Sequence, residues 1–158
     1  MEWSSNSKKN GNVTFTSCIC NGKPLTLRLD DACIQYEPSV FGGDGTETRK
    51  NLVLTVSDDT RQKIEAMEAN LPRTSLPMTR ISCLKENNIK CKIDMTKVRC
   101  FDAARNPIEQ PLKWRGLICN AQLCVNGKWQ TANSVGLSIS CTDLQILEQA
   151  SPIEPCPF

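Results

Sequence analysis

Four cations, Lys90, Lys92, Lys97 and Arg99, alternate with apolar residues through IKCKIDM (89–95) and KVRCF (97–101). Successive side chains of an extended chain point to opposite faces. Lys90, Lys92 and Asp94 therefore share one face of the first stretch, with Cys91, Ile93 and Met95 on the other; in the second, Val98 and Cys100 oppose Lys97, Arg99 and Phe101. A phenylalanine on a cationic face either stacks on something or is covered by a loop. Trp114 stands between Lys113 and Arg115, and Trp129 follows Lys128. For each tryptophan core packing is the alternative, Trp129 plugging the end of a barrel. Cations for phosphates beside aromatic faces for bases suit an unpaired nucleic-acid strand, each stack being worth roughly 1–3 kcal/mol. On that chemistry Lys90, Lys92, Lys97 and Arg99 neutralise phosphates along two neighbouring strands, Arg115 and Lys128 flank the groove, and Phe101, Trp114 and Trp129 offer stacking faces. Arg49 and Lys50 belong to a loop over 37–51 that closes over the bound strand.

The distribution of charge carries more than its sum. The net charge is only +2, too small to demand a polyanion partner. Between Arg80 and Lys128, however, ten basic residues face four acidic ones, a net of +6, and the remainder is acidic. A solvated face shows the same excess, so the aromatics among the cations decide the reading. The chain has no histidine, which excludes Ser-His, Cys-His and His-ligated metal mechanisms for this chain alone. FGGDGTETRK (41–50) has neither the phosphate-loop order nor the dinucleotide fingerprint. Asp30 and Asp31, adjacent on a strand, point to opposite faces, and Asp58 and Asp59 are better used at a helix cap. No catalytic residue and no cofactor are expected.

With 158 residues the chain is long enough to bury one core without staples. Residues 1–12, rich in Ser, Asn, Lys and Gly, read as a flexible arm, 13–148 as one binding domain, and 149–158 as a Pro-rich tail. Asn21-Gly22 between VTFTSCIC (13–20) and LTLRLDDACIQY (25–36) predicts a hairpin. NLVLTV (51–56) is a further strand. A helix follows, with Ser57, Asp58 or Asp59 as cap, Ile64, Met67 and Leu71 as its apolar stripe, and Pro72 as its stop. Five strands come next: 78–84, 89–95, 97–101, 116–125 and 135–147, with turns at 86–88, 102–111 and Asn126-Gly127. Many short strands with one helix in mid-sequence predict a mainly β, OB-like Greek-key barrel.

The polar start, MEWSSNSKKNGNVTF, lacks the apolar stretch of a secretory signal, and no segment approaches the roughly 18 apolar residues of a membrane span. The expectation is a soluble protein of a reducing compartment: nucleus, cytoplasm or viral replication site. There most of the ten cysteines are free thiols acting as small hydrophobes, as the places of Cys91, Cys100, Cys119 and Cys141 inside alternating runs suggest. Cysteine-ligated zinc is an alternative, through Cys18-x-Cys20 with Cys33 or through Cys119-x4-Cys124, though neither repeats the C-x2-C pair of strong zinc signals. A protein-interaction adaptor of a replication or virion complex is another; salt separates it from polyanion binding, which weakens steeply as salt rises.

The stretch KVRCFDAARNPIE followed by LKWRGLICNAQLCVNGKWQTANSVGLSISCTDLQILE resembles the C-terminal half of phage-type and large-DNA-virus single-stranded-DNA-binding proteins. The shared pattern is a basic strand, a D-x-x-x-N turn (Asp102 to Asn106), a glycine opening a long strand (Gly116), a tryptophan near its end (Trp129), and a last strand from Val135-Gly136 to Leu144–Leu147. With the hydrophobic strand that precedes the basic one, the resemblance covers about 70 residues. The resemblance implies an OB-fold that coats single-stranded DNA during replication or recombination and is not an enzyme. Single-stranded DNA, or RNA, is then the ligand, with replication proteins and further copies of the chain as candidate partners. One departure concerns the end: ASPIEPCPF carries Phe158 last but only Glu148 and Glu154 nearby, where such proteins commonly have a long acidic tail that recruits partners.

Overall fold

The computed structural model describes residues 2–19, 23–40, 47–71 and 79–149. Eleven strands and one helix follow in order: β1 (Glu2–Asn10), β2 (Val13–Ile19), β3 (Leu25–Cys33), β4 (Arg49–Thr55), α1 (Asp58–Ala69), β5 (Thr79–Arg80), β6 (Leu84–Lys85), β7 (Asn88–Asp94), β8 (Arg99–Phe101), β9 (Pro107–Ile108), β10 (Leu117–Gln130) and β11 (Ser134–Gln149).

Five of them close a barrel. β10 pairs antiparallel with β3 on one edge and β11 on the other. β11 takes β7 in parallel, and β7 takes β4 antiparallel. The Ile34↔Leu54 bridge closes the ring, with the Gln35 N–H donating to the Val53 carbonyl at 2.9 Å. The chain is thus a mainly β, OB-like barrel. Alternate residues of each strand fill it: Leu29; Leu52 and Leu54; Ile89, Cys91 and Ile93; Cys119, Ala121, Leu123 and Val125; Val135, Leu137, Ile139 and Cys141. Burial pushes the thiols of Cys91 and Cys119 up to about 12, so at neutral pH they pack as uncharged hydrophobes. Cys124 alternates out of the core-facing row that holds Cys119, so the two do not converge on one ion. Cys20 lies outside the described residues.

The helix forms where its cap and stripe place it. Ser57 Oγ accepts from the Thr60 N–H at 3.3 Å, and Ile64 and Leu71 are buried while Met67 is half-buried. Among the described residues no helix is long and apolar enough to cross a membrane.

Local signals and tertiary partners disagree in five places. Residues 2–10, expected as a flexible arm, form β1 and pair with β2, reversing across Gly11-Asn12, where Gly11 has φ 61°, a region glycine enters without Cβ strain. The β2–β3 hairpin does not form: both strands lie end to end on one edge of β10, Ser17 opposite Gly127 and Leu25 opposite Val125. β10 is long enough to satisfy the backbones of both. Asn126-Gly127 is not a turn but an irregularity inside β10; the chain reverses at 131–133, where the Thr131 N–H donates to the Ser134 carbonyl at 2.8 Å. The strand expected over 78–84 is broken into β5 and β6. Glu68 accepts from Ser82 Oγ at 2.6 Å and from the Cys83 N–H at 3.1 Å, taking a backbone donor that a continuous strand would use. Finally, β7 and β8 are not neighbours. The Lys97 and Val98 N–H groups donate to the Asp94 carbonyl, and this turn sets β8 beyond β7 along the same edge of β11.

Candidate nucleic-acid interface

The pairing of β4 with β7 sorts the cations. Arg49↔Asp94, Asn51↔Lys92 and Val53↔Lys90 form the outer row, and Lys50↔Ile93, Leu52↔Cys91 and Leu54↔Ile89 the core-side row. Arg49, Lys90 and Lys92 therefore project outward. Lys50 falls in the core-side row, and it and Arg49 belong to β4, not to a closing loop, which corrects the loop reading; residues 41–46 lie outside the described ones. Lys92 Nζ donates to Asn51 Oδ1 at 2.8 Å. Burial, then the charge of Lys90, lowers the Lys92 pKa, so an anion placed here relieves an existing penalty on its charged form. Asp94 accepts from the Thr96 hydroxyl at 2.6 Å and the Thr96 N–H at 2.9 Å. Those bonds, with Lys97 and Arg49 nearby, hold its carboxyl below the usual range. Arg49 Nε, 3.8 Å away, partly offsets that negative charge.

The facing wall depends on the irregularity in β10. Before it, Val125 pairs with Ile139, both in the core; after it, Gly127 pairs with Ser138, Lys128 with Leu137 and Trp129 with Gly136. One extra residue in a strand re-aims everything beyond it. Trp129 thus joins the outer row, and Lys128 falls opposite the buried Leu137 and Thr16; burial lowers its pKa. Gly127 is required by close approach, since a Cβ there would lie 2.0 Å from the Thr16 carbonyl oxygen. At Gly136 a Cβ would lie 2.6 Å from Trp129 Cζ2, so the indole rests directly on the glycine backbone. Across the other edge of β10, Phe15 pairs with Trp129.

Two hollows between these walls share Lys92 and Ser138 and form one cleft. The first, about 400 Å³, has Trp129 and Val13 against Lys90 and Lys92. The second, about 780 Å³, has Phe15 and Asn126 against Arg49 and Lys97. A polyanion lying along the cleft would have cations on one side and aromatic rings on the other.

The remaining candidates sit elsewhere. Trp114 is 5% exposed and belongs to the core, so it offers no face, and its stacking role is corrected. Its backbone N–H and that of Arg115 donate to the Glu37 carboxylate. Arg115 precedes the first residue of β10 whereas Trp129 stands near its last, so Arg115 does not flank the cleft; Lys128 adjoins Trp129 but sits in the opposite row of the strand. Arg99 is tied to Asp143 at 2.6 Å, and half-buried Phe101 lines a separate cavity. Sequence reasoning missed Val13, Phe15, Asn51 and Asn126. Phe15 was detectable, because VTFTSCIC sets Val13 and Phe15 in the row of Ser17, opposite buried Thr16 and Cys18.

No protein-family model matches the sequence. No curated protein matches it either. Solved structures do. A C-terminally truncated single-stranded DNA-binding protein from bacteriophage Enc34 superposes with a TM-score of 0.58 at 13% identity, over 92% of this chain and 95% of that one. The chain shares the fold of phage single-stranded-DNA-binding proteins. A second example is gp2.5, a single-stranded DNA-binding protein encoded by bacteriophage T7, with a TM-score of 0.51 at 15% identity, over 83% of this chain and 98% of that one. Both alignments extend well beyond the C-terminal half in which the sequence pattern was met. The D-x-x-x-N element of that pattern is here a closed turn: Asp102 Oδ1 accepts from the Asn106 N–H at 2.9 Å, and the Asp102 N–H donates to the Asn106 carbonyl.

Proposed function

We propose that this protein is a non-enzymatic single-stranded-DNA-binding protein that coats unpaired strands during replication or recombination, with little sequence preference. The observation that carries the reading is the cleft, whose walls set Arg49, Lys90, Lys92 and Lys97 against Trp129 and Phe15. The fold shared with two phage proteins that bind single-stranded DNA supports it. Phosphates follow the cationic wall while bases, each of which has a π-face, turn to the rings, so that affinity does not depend on sequence. The protein acts inside the cell, with replication proteins and further copies of itself as partners.

The phosphate contacts are tested by salt. Lys90→Ala with Lys92→Ala weakens binding of all single-stranded sequences alike. It also flattens the slope of log affinity against log salt by roughly 1 to 2, because each contact on a single strand contributes about 0.7. An unchanged slope means that the strand does not run along β7.

A further inference from the structure

A second cavity, of about 310 Å³, opens on the outer side of β10 and β11 away from the cleft. Phe101 lines it, with Arg28 and Arg105, the amide side chains of Asn120 and Gln122, and Asp143. We propose that this cavity is a second single-strand subsite, which seats one nucleobase against Phe101 and its flanking phosphates on Arg28 and Arg105. This rests on the single-strand reading of the cleft and extends it.

Four observations assemble the subsite. First, Arg99 lies over the Phe101 ring, 5.8 Å from its centroid, yet is not part of the cavity lining. The guanidinium covers one side of the ring, and the ring itself still lines the cavity.

Second, the one carboxylate in the lining is already engaged. Asp143 accepts from Arg99 Nε at 2.6 Å and from the Thr142 hydroxyl at 2.9 Å, so its charge is matched before any phosphate arrives.

Third, both cations are free to turn. Among the described residues Arg28 pairs with Asp30 alone, and the two side chains are 59% and 66% exposed, an arrangement that holds weakly. Arg105 makes no ion pair among the described residues. It is held at φ 68° in the turn that Asp102 and Asn106 close, so the backbone fixes its base beside the cavity.

Fourth, the cavity is in line with the cleft. β11 pairs Gly136 with Trp129 and Gln145 with Phe101. The nine steps from one position to the other span about 30 Å at ~3.3 Å per residue. The outer row between them passes Ser138 and Ser140 in the cleft and then Asp143, with Lys97 and Arg99 alongside. A strand leaving the cleft past Lys97 reaches Phe101 without crossing the barrel. Only a strand of sufficient length can occupy both places.

Oligonucleotide length separates the two sites. Anisotropy titrations use labelled oligo(dT) of about 5 and about 15 nucleotides, near the ends of the roughly 4–16 range of OB-fold site sizes. Phe101→Ala and Arg105→Ala are expected to leave the short oligonucleotide unaffected and to weaken the long one, on the order of tenfold for Phe101→Ala. Phe101→Leu, which keeps apolar bulk beneath Arg99 but loses the flat ring, gives the same pattern in a chain with its packing intact. Trp129→Ala weakens both lengths. If the Phe101 and Arg105 variants bind the long oligonucleotide like the parent while Trp129→Ala weakens both, the subsite is overturned and the cleft stands. If the parent binds neither oligonucleotide, the single-strand reading falls and the subsite with it.

Discussion

Trp114→Ala is expected to lower stability by about 3–5 kcal/mol, the range for truncating a buried tryptophan. Trp114 is 5% exposed within the core cluster, and removing it leaves a void that the surrounding strands fill only in part. Against a total stability of about 5–15 kcal/mol for a domain that is a large share, and urea denaturation will show a much lower midpoint. Binding responds differently. Trp114 lies just before β10, whose far end carries Trp129, so the folded variant holds poly(dT) as the parent does. A midpoint near that of the parent would mean that Trp114 is not packed, and weakened affinity in folded protein would return it to the interface.

Trp129→Ala reverses the pattern. The indole rests on Gly136, pairs across β10 with Phe15 and lines the cleft. Losing one base platform costs about 1–3 kcal/mol of affinity, roughly 5- to 150-fold in Kd. The variant loses a half-buried ring but leaves the β10–β11 ladder in place, so its thermal midpoint falls far less than that of Trp114→Ala. Titration with poly(dT) at fixed salt decides: unchanged affinity in a folded variant removes the aromatic wall from the account.

These two tryptophans also show what is legible in a sequence. Both sit next to cations, and alternation alone sends a residue and its immediate neighbours to opposite faces. Lys113 and Arg115 are exposed while Trp114, in the irregular stretch before β10, is buried between them. Trp129 would follow the same rule but for the irregularity at Asn126, which shifts the register by one residue. A shift of one residue exchanges the two faces of everything beyond it, so no local pattern places Trp129 outward or Lys128 inward.

Asn-Gly is ambiguous for a related reason. At 10–11 it leads into a hairpin and at 126–127 it lies within a strand. The dipeptide permits the geometry of a turn, and the available partner strands decide whether the chain reverses. By contrast Lys90, Lys92, the helix cap at Ser57 and the core cysteines of β7, β10 and β11 were legible, because alternation and capping are local and the barrel does not override them. Lys97 and Arg99 were assigned to a strand beside β7, but whether two strands lie side by side or end to end depends on β11, more than forty residues along the chain.

The most direct test of the central claim is a fluorescence titration of the intact protein with poly(dT), duplex DNA and single-stranded RNA at a low and a high salt concentration. Tight binding of poly(dT), much weaker binding of duplex and a steep loss of affinity with salt are expected, since contacts to several phosphates act together; the RNA arm reports which sugar the cleft prefers. Equal affinity for duplex and poly(dT), or binding of poly(dT) that does not respond to salt, would contradict that claim.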